Sequence, residues 1–126
     1  MNIEKIHTEN APEAIGPYSQ AVTVGDFVFT SGQIALVPTT GTVEAEDIVG
    51  QTEQVMKNLC AVLTAAGSSM DKAIKTTCFL ADMNDFAAFN EVYGKYFTSK
   101  PARSCVAAKQ LPKNVLVEVE VVAVKG

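Results

Sequence analysis

Apolar and polar positions follow two rhythms along this chain, and each rhythm predicts a type of element. Residues 18–24 and 27–33 alternate with a period of two and are rich in Val, Phe and Thr, which predicts two strands. Gly25-Asp26 between them predicts a tight two-residue hairpin. That turn sets a register in which Val24 faces Phe27, Val22 faces Phe29, Gln20 faces Ser31 and Tyr18 faces Gln33. Residues 38–41 read as a further turn, with Thr42-Val43 opening a short strand. From about residue 47 to 66 the period becomes helical, with Val55, Met56, Leu59, Val62, Leu63 and Ala66 on one stripe and Gly67 as the stop. Residues 73–81 return to strand, with Ile74, Thr76, Cys78 and Leu80 on one side. Asn84 is the expected cap of a second helix that carries Phe86, Phe89, Asn90, Tyr93 and Phe97 along one stripe. Two last strands are expected over 104–109 and 115–124, and residues 1–16 read as a polar leader.

This order predicts an α+β single domain over residues 1–126, a mixed β-sheet with two helices on one face. The last strand complicates that picture. Val115, Val117, Val119, Val121 and Ala123 would face the helices, yet Leu116, Val122 and Val124 on the other side are also apolar. A strand apolar on both faces needs a second cover, and self-association supplies it.

Composition changes the picture chiefly by exclusion. The chain has 126 residues, is 48% hydrophobic and 19% charged, and carries a net charge of −4. An acidic chain without a basic run is a poor ligand for nucleic acid or an anionic membrane, so neither is expected as a partner. No run is long and apolar enough to span a bilayer. Three cysteines without a CxxC pair, and no secretory pattern, point to a reducing, cytoplasmic compartment. His7 is the sole histidine, so neither a metal site nor a Ser–His or Cys–His nucleophile is expected.

The remaining chemistry gathers near the C-terminus. Pro101-Ala102-Arg103-Ser104-Cys105 and Glu118-Val119-Glu120 place a guanidinium and two carboxylates among residues expected to be buried. Arg grips a planar carboxylate with two parallel hydrogen bonds, so Arg103 suggests a small-acid site. Its alternative is a structural ion pair with one of the glutamates. Glu118 and Glu120 share a face, either simply solvated or with one partly desolvated and serving as a general base. Asn90 either caps local backbone or reaches into a cleft. Tyr18 and Ser31 are hairpin residues or cleft lining, and Gly32 marks a bulge or a close approach of backbone to a ligand. Cys105 lacks a partner base, so a main-chain role suits it better than thiol chemistry.

Taken with residues 15–21 (Ile-Gly-Pro-Tyr-Ser-Gln-Ala), 30–34 (Thr-Ser-Gly-Gln-Ile) and 89–93 (Phe-Asn-Glu-Val-Tyr), these motifs resemble the RidA family, also called YjgF-like, across nearly the whole chain. The resemblance implies a chorismate-mutase-like fold, a homotrimer and clefts between subunits. It also implies hydrolysis of reactive 2-imino acids to 2-keto acids and ammonia without metal or organic cofactor. By the same resemblance Arg103 binds the substrate carboxylate, Glu118 activates water, and the backbone at Cys105 meets the imine nitrogen. Tyr18, Ser31, Gly32 and Asn90 line the cleft, while the resemblance assigns Glu120 no catalytic role and it is kept as a supporting residue. Lys100, where an aromatic residue is common, Ala107, and a shortened connection before Pro101 depart from the family pattern at the cleft entrance. Two other readings share these residues: a non-catalytic sensor of small acids, and an RNA-directed inhibitor or endoribonuclease, which the negative charge opposes.

Overall fold

The computed structural model describes residues 1–126. Six strands, β1 (Ile3–Ile6), β2 (Ala21–Val24), β3 (Phe27–Thr30), β4 (Ala73–Leu80), β5 (Ala102–Ala107) and β6 (Val117–Val124), form one sheet in the order β1-β2-β3-β6-β4-β5. Helices α1 (Ile48–Ala65) and α2 (Phe86–Tyr96) complete an α+β domain. Only the β4–β5 pair is parallel, joined through α2, so the sheet is mixed.

Local chemistry explains most element ends. The Asp47 carboxylate accepts from the Gly50 N–H at 2.8 Å and starts α1. Its end closes by a Schellman pattern, in which Ser68 N–H donates to the Leu63 carbonyl at 2.8 Å while Gly67 takes the left-handed conformation at φ +80°. The hairpin register is the expected one, Val24 opposite Phe27 and Val22 opposite Phe29. Ser31 N–H still donates to the Gln20 carbonyl, but the ladder stops there.

Four expectations are corrected. Tyr18 does not pair with Gln33. Past Ser31 the chain swings from β2 to β6, and Gln33 exchanges both backbone hydrogen bonds with Val119. Residues 3–6 are not leader but an edge strand on β2. Asp82, not Asn84, caps the entry to α2, its carboxylate accepting from the Asn84 N–H at 2.8 Å ahead of a 3-10 turn. A register shift between Ala73 and Lys75 turns Ile74 out to solvent, which breaks the expected alternation in β4.

The core lies between the sheet and the two helices. Val55, Met56, Leu59, Val62 and Leu63 of α1 and Phe89, Val92 and Tyr93 of α2 pack on Val117, Val119, Val121 and Ala123 of β6. Full burial of each large apolar side chain stabilises the fold by roughly 1.5–3 kcal/mol. The opposite face is bare, and Phe27 and Phe29 there stay 45% and 41% exposed.

Candidate functional site

The chain's return to β6 after Ser31 builds the first half of the site. It lays Gly32 beneath Glu118, so closely that a Cβ on Gly32 would stand 2.0 Å from Glu118 Oε2. A side chain at this position would force the carboxylate to move, so the glycine sets where Glu118 lies rather than whether the chain folds. Glu118 is half-buried. Burial first, and the charge of Glu120 second, push its pKa above the ordinary carboxylate value, with no hydrogen bond drawing it back. A base so placed accepts a proton closer to neutrality than a solvated glutamate does.

Glu118 opens on a cleft of about 580 Å³, lined among others by Ile15, Tyr18, Ser31, Gly32 and Lys113. Ser31 donates its hydroxyl proton to the Ser19 carbonyl, so it holds the Tyr18 segment against the cleft while its lone pairs stay free. Gln20, buried beside it, accepts from Thr8 N–H at 2.7 Å and donates to the Thr8 and Pro12 carbonyls at 3.0 and 2.8 Å. That amide pins the segment from which Ile15 and Tyr18 project.

The second half lies on β5 and α2. Arg103 Nη1 donates to Asn90 Oδ1 at 2.6 Å, and the guanidinium carbon sits 4.9 Å from the Tyr93 ring centre and 5.4 Å from that of Phe86. Tyr93 is itself fixed by a 2.7 Å hydrogen bond between its hydroxyl and Thr76 Oγ1. Three side chains of one helix thus orient the fork. Arg103 also borders a smaller hollow of about 340 Å³ with Lys100 and Pro101. Asn90 neither caps backbone nor reaches the Glu118 cleft; it positions the arginine.

Cys105 packs against the core beside Arg103. Burial pushes its thiol pKa up, with the Arg103 charge pulling the other way more weakly, so the side chain is a protonated thiol near neutrality. β5 ends the sheet, leaving one side of its backbone unpaired by any strand. A main-chain contact from this strand is therefore available to a ligand, and the proposed hydrolysis needs no thiolate.

The two halves do not meet within one chain. Arg103 and Cys105 stand opposite Thr76 and Cys78, whose side chains enter the helix-side core. Glu118 and Glu120 stand opposite Phe79 and Thr77, on the bare side of the sheet. Parity places the guanidinium and the carboxylates on opposite faces. The expected alternative of an Arg103–glutamate ion pair is thereby excluded within one protomer.

Sequence reading missed the polar residues that shape the cleft. Asn58, fully buried on the apolar stripe of α1, donates to the Ile34 and Leu36 carbonyls at 3.1 and 2.9 Å. Gln51 accepts from Leu116 N–H at 2.9 Å and so anchors the entry to β6 two residues before Glu118. The available signal was an amide repeatedly interrupting a Val/Leu stripe, since buried amides must be satisfied. No group of three or more His, Cys, Asp or Glu side chains is arranged to hold a metal ion. No helix is long and apolar enough to cross a membrane.

Comparison with known proteins shows the family and the fold. The family described as Endoribonuclease L-PSP matches residues 8–125. A RutC family protein of Pyrococcus horikoshii is 54% identical over 123 residues, 97% of this chain and 98% of its own. The 2-iminobutanoate/2-iminopropanoate deaminase of Salmonella typhimurium is 49% identical over 124 residues, covering 95% of this chain and 96% of its own. The crystal structure of E. coli TdcF with bound serine superposes with a TM-score of 0.92 at 46% identity, covering 98% of this chain and 99% of that one.

Proposed function

Since the chain belongs to the Endoribonuclease L-PSP family, the YjgF/RidA family, we propose that it hydrolyses 2-imino acids to 2-keto acids and ammonia at a site shared between copies of itself. One observation carries this reading: a braced guanidinium and a desolvated carboxylate lie on opposite faces of one sheet. Docking the β5 edge of one copy over the bare face of another brings the two groups together. It also covers Phe27 and Phe29. A homotrimer closes such a head-to-tail contact with no face left over.

In the assembled site the Arg103 fork takes the substrate carboxylate, converting water attack into a nearly intramolecular event. Glu118 removes a proton from water as oxygen adds to the imine carbon. The carbinolamine then collapses, expelling ammonia after proton transfer to nitrogen. Backbone groups of β5 near Cys105 meet the charge changing on that nitrogen. Tyr18 and Ser31 close the wall, Gly32 gives Glu118 its seat, and Asn90 holds Arg103. The names of two relatives support this choice, one an imine deaminase and one crystallised with a small amino acid. The substrates are accordingly small 2-imino acids, and the reaction asks for no cofactor. A net charge of −4 gives no support to an RNA-directed role.

The test is complementation. Arg103→Ala and Glu118→Gln proteins are each expected to lose most of the activity in a coupled assay that generates imines with an amino-acid dehydratase. Unfolded together and refolded as mixed assemblies, they regain part of the activity, because some seams receive both intact halves. Mixed assemblies as inactive as either parent overturn the shared site. Unchanged binding of a keto acid to Glu118→Gln, together with no turnover by the parent protein, turns the reading from enzyme to sensor.

A further inference from the structure

Cys78 and Cys105 are brought face to face by the topology. β4 and β5 run parallel, and the two residues stand directly opposite each other in their register. Neighbouring strands lie about 4.8 Å apart. Cα atoms at about that spacing fall inside the roughly 4.4–6.8 Å window that a disulfide spans. Both side chains project to the helix side, Cys78 fully buried in the core and Cys105 half-buried against it at the sheet edge. Both are free thiols, while Cys60, the third, is exposed on α1. No step of the proposed hydrolysis uses either sulfur.

We propose that Cys78 and Cys105 form an oxidation site, a dithiol that a hydroperoxide closes to an intramolecular disulfide and that thiol reductants reopen. Cys105, the half-exposed member, is oxidised first. Its sulfur attacks one peroxide oxygen, the O–O bond breaks, and Cys105 sulfenic acid and one water result when the peroxide is hydrogen peroxide. The Cys78 sulfur then attacks the sulfenic sulfur; the S–O bond breaks, and hydroxide leaves as water with the Cys78 proton. In total two thiols give up two hydrogens and two electrons, and one peroxide becomes two waters. The order of events follows from burial. Burial pushes the Cys78 thiol up to about 12 and leaves it as the resolving group; burial raises the Cys105 thiol too, but Arg103 opposes that rise and the half-buried position at the sheet edge lets peroxide reach it.

Closure ties the sheet edge two residues beyond Arg103. Its effect on turnover rests on the function proposed above; the sulfur chemistry does not. The experiment therefore reads sulfur and activity separately. Cys60→Ser protein is treated with hydrogen peroxide, titrated for free thiols and weighed intact. The expected result is loss of both remaining thiols, a mass lower by two hydrogens, a peptide joining Cys78 to Cys105, and full recovery with dithiothreitol. Surviving thiols, oxygen added to Cys105 in place of the bond, or a disulfide between two chains each overturn the oxidation site. Adding Cys78→Ala to the same background must convert the product to an oxygen adduct on Cys105; loss of two hydrogens there also overturns the pairing. If the disulfide forms and turnover is undiminished, the oxidation site stands and the role given to β5 in catalysis falls.

Discussion

The Arg103 half and the Glu118 half of the site are built on opposite principles. Arg103 is held by everything around it: a 2.6 Å hydrogen bond to Asn90 and two aromatic faces, all from α2. Glu118 is held by almost nothing, and its character comes from what is missing, a side chain at position 32 and full access to water. A binding cation gains from a rigid fork, because orientation lost is affinity lost. A general base gains from poor solvation, because hydrogen bonds to the carboxylate would lower its pKa. One half is stabilised for its task, the other destabilised.

This contrast is sharpest at Glu118→Gln, where the largest effect is expected. Turnover should fall by about 10²–10⁴-fold, the usual share of a general base. Stability should move the other way. The folded carboxylate has a raised pKa, so ionising it costs folding free energy as pH rises from the unfolded value of about 4.3 through the folded one. Glu118→Gln should therefore melt at or above the parent temperature at pH 7, an advantage that disappears below about pH 4. Thermal melts across that range check the sign. A variant less stable at pH 7 would show that the carboxylate is held by its surroundings after all.

Arg103→Ala should lower kcat/KM by about 10²–10³-fold, the loss expected for a charge-assisted grip on the substrate. Arg103→Lys restores the charge without the fork and should recover only part of it, which steady-state kinetics would reveal. Gly32→Ala probes the seat of the base. The new Cβ must displace a flexible carboxylate rather than backbone, so the fold should survive while kcat falls by about 10²-fold. Circular dichroism beside kinetics separates the two. The smallest effect is expected at Asn90→Ala. Loss of one hydrogen bond to a charged group should raise KM about tenfold and leave the pH profile of Glu118 in place. An equal fall in kcat with KM unchanged would place Asn90 in the chemistry itself.

Much of the architecture was readable because it depends on near neighbours. The Gly25 turn specified the hairpin register through Val24 and Phe27. Asp47 and Gly67 bounded α1, and the two-residue period of β6 put Glu118 and Glu120 together on one face. The misreadings share a different origin. β1 is four residues that gain strand character only by pairing with β2, and Ile74 leaves its face through a bulge that no local period announces. Asn58 and Gln51 passed unnoticed in the sequence because their carbonyl and N–H partners lie far along the chain.

What residues within a few positions of one another could settle was thus present in the chain alone: the elements, the caps, the residue types suited to grip an anion and take a proton. Their placement in the fold was not. Sheet order inserts β6 between β3 and β4, and this distant pairing carries Gly32 under Glu118 while strand parity sends Arg103 through to the opposite face. Faces are a property of the assembled sheet, because a side chain has a side only once its strand has neighbours.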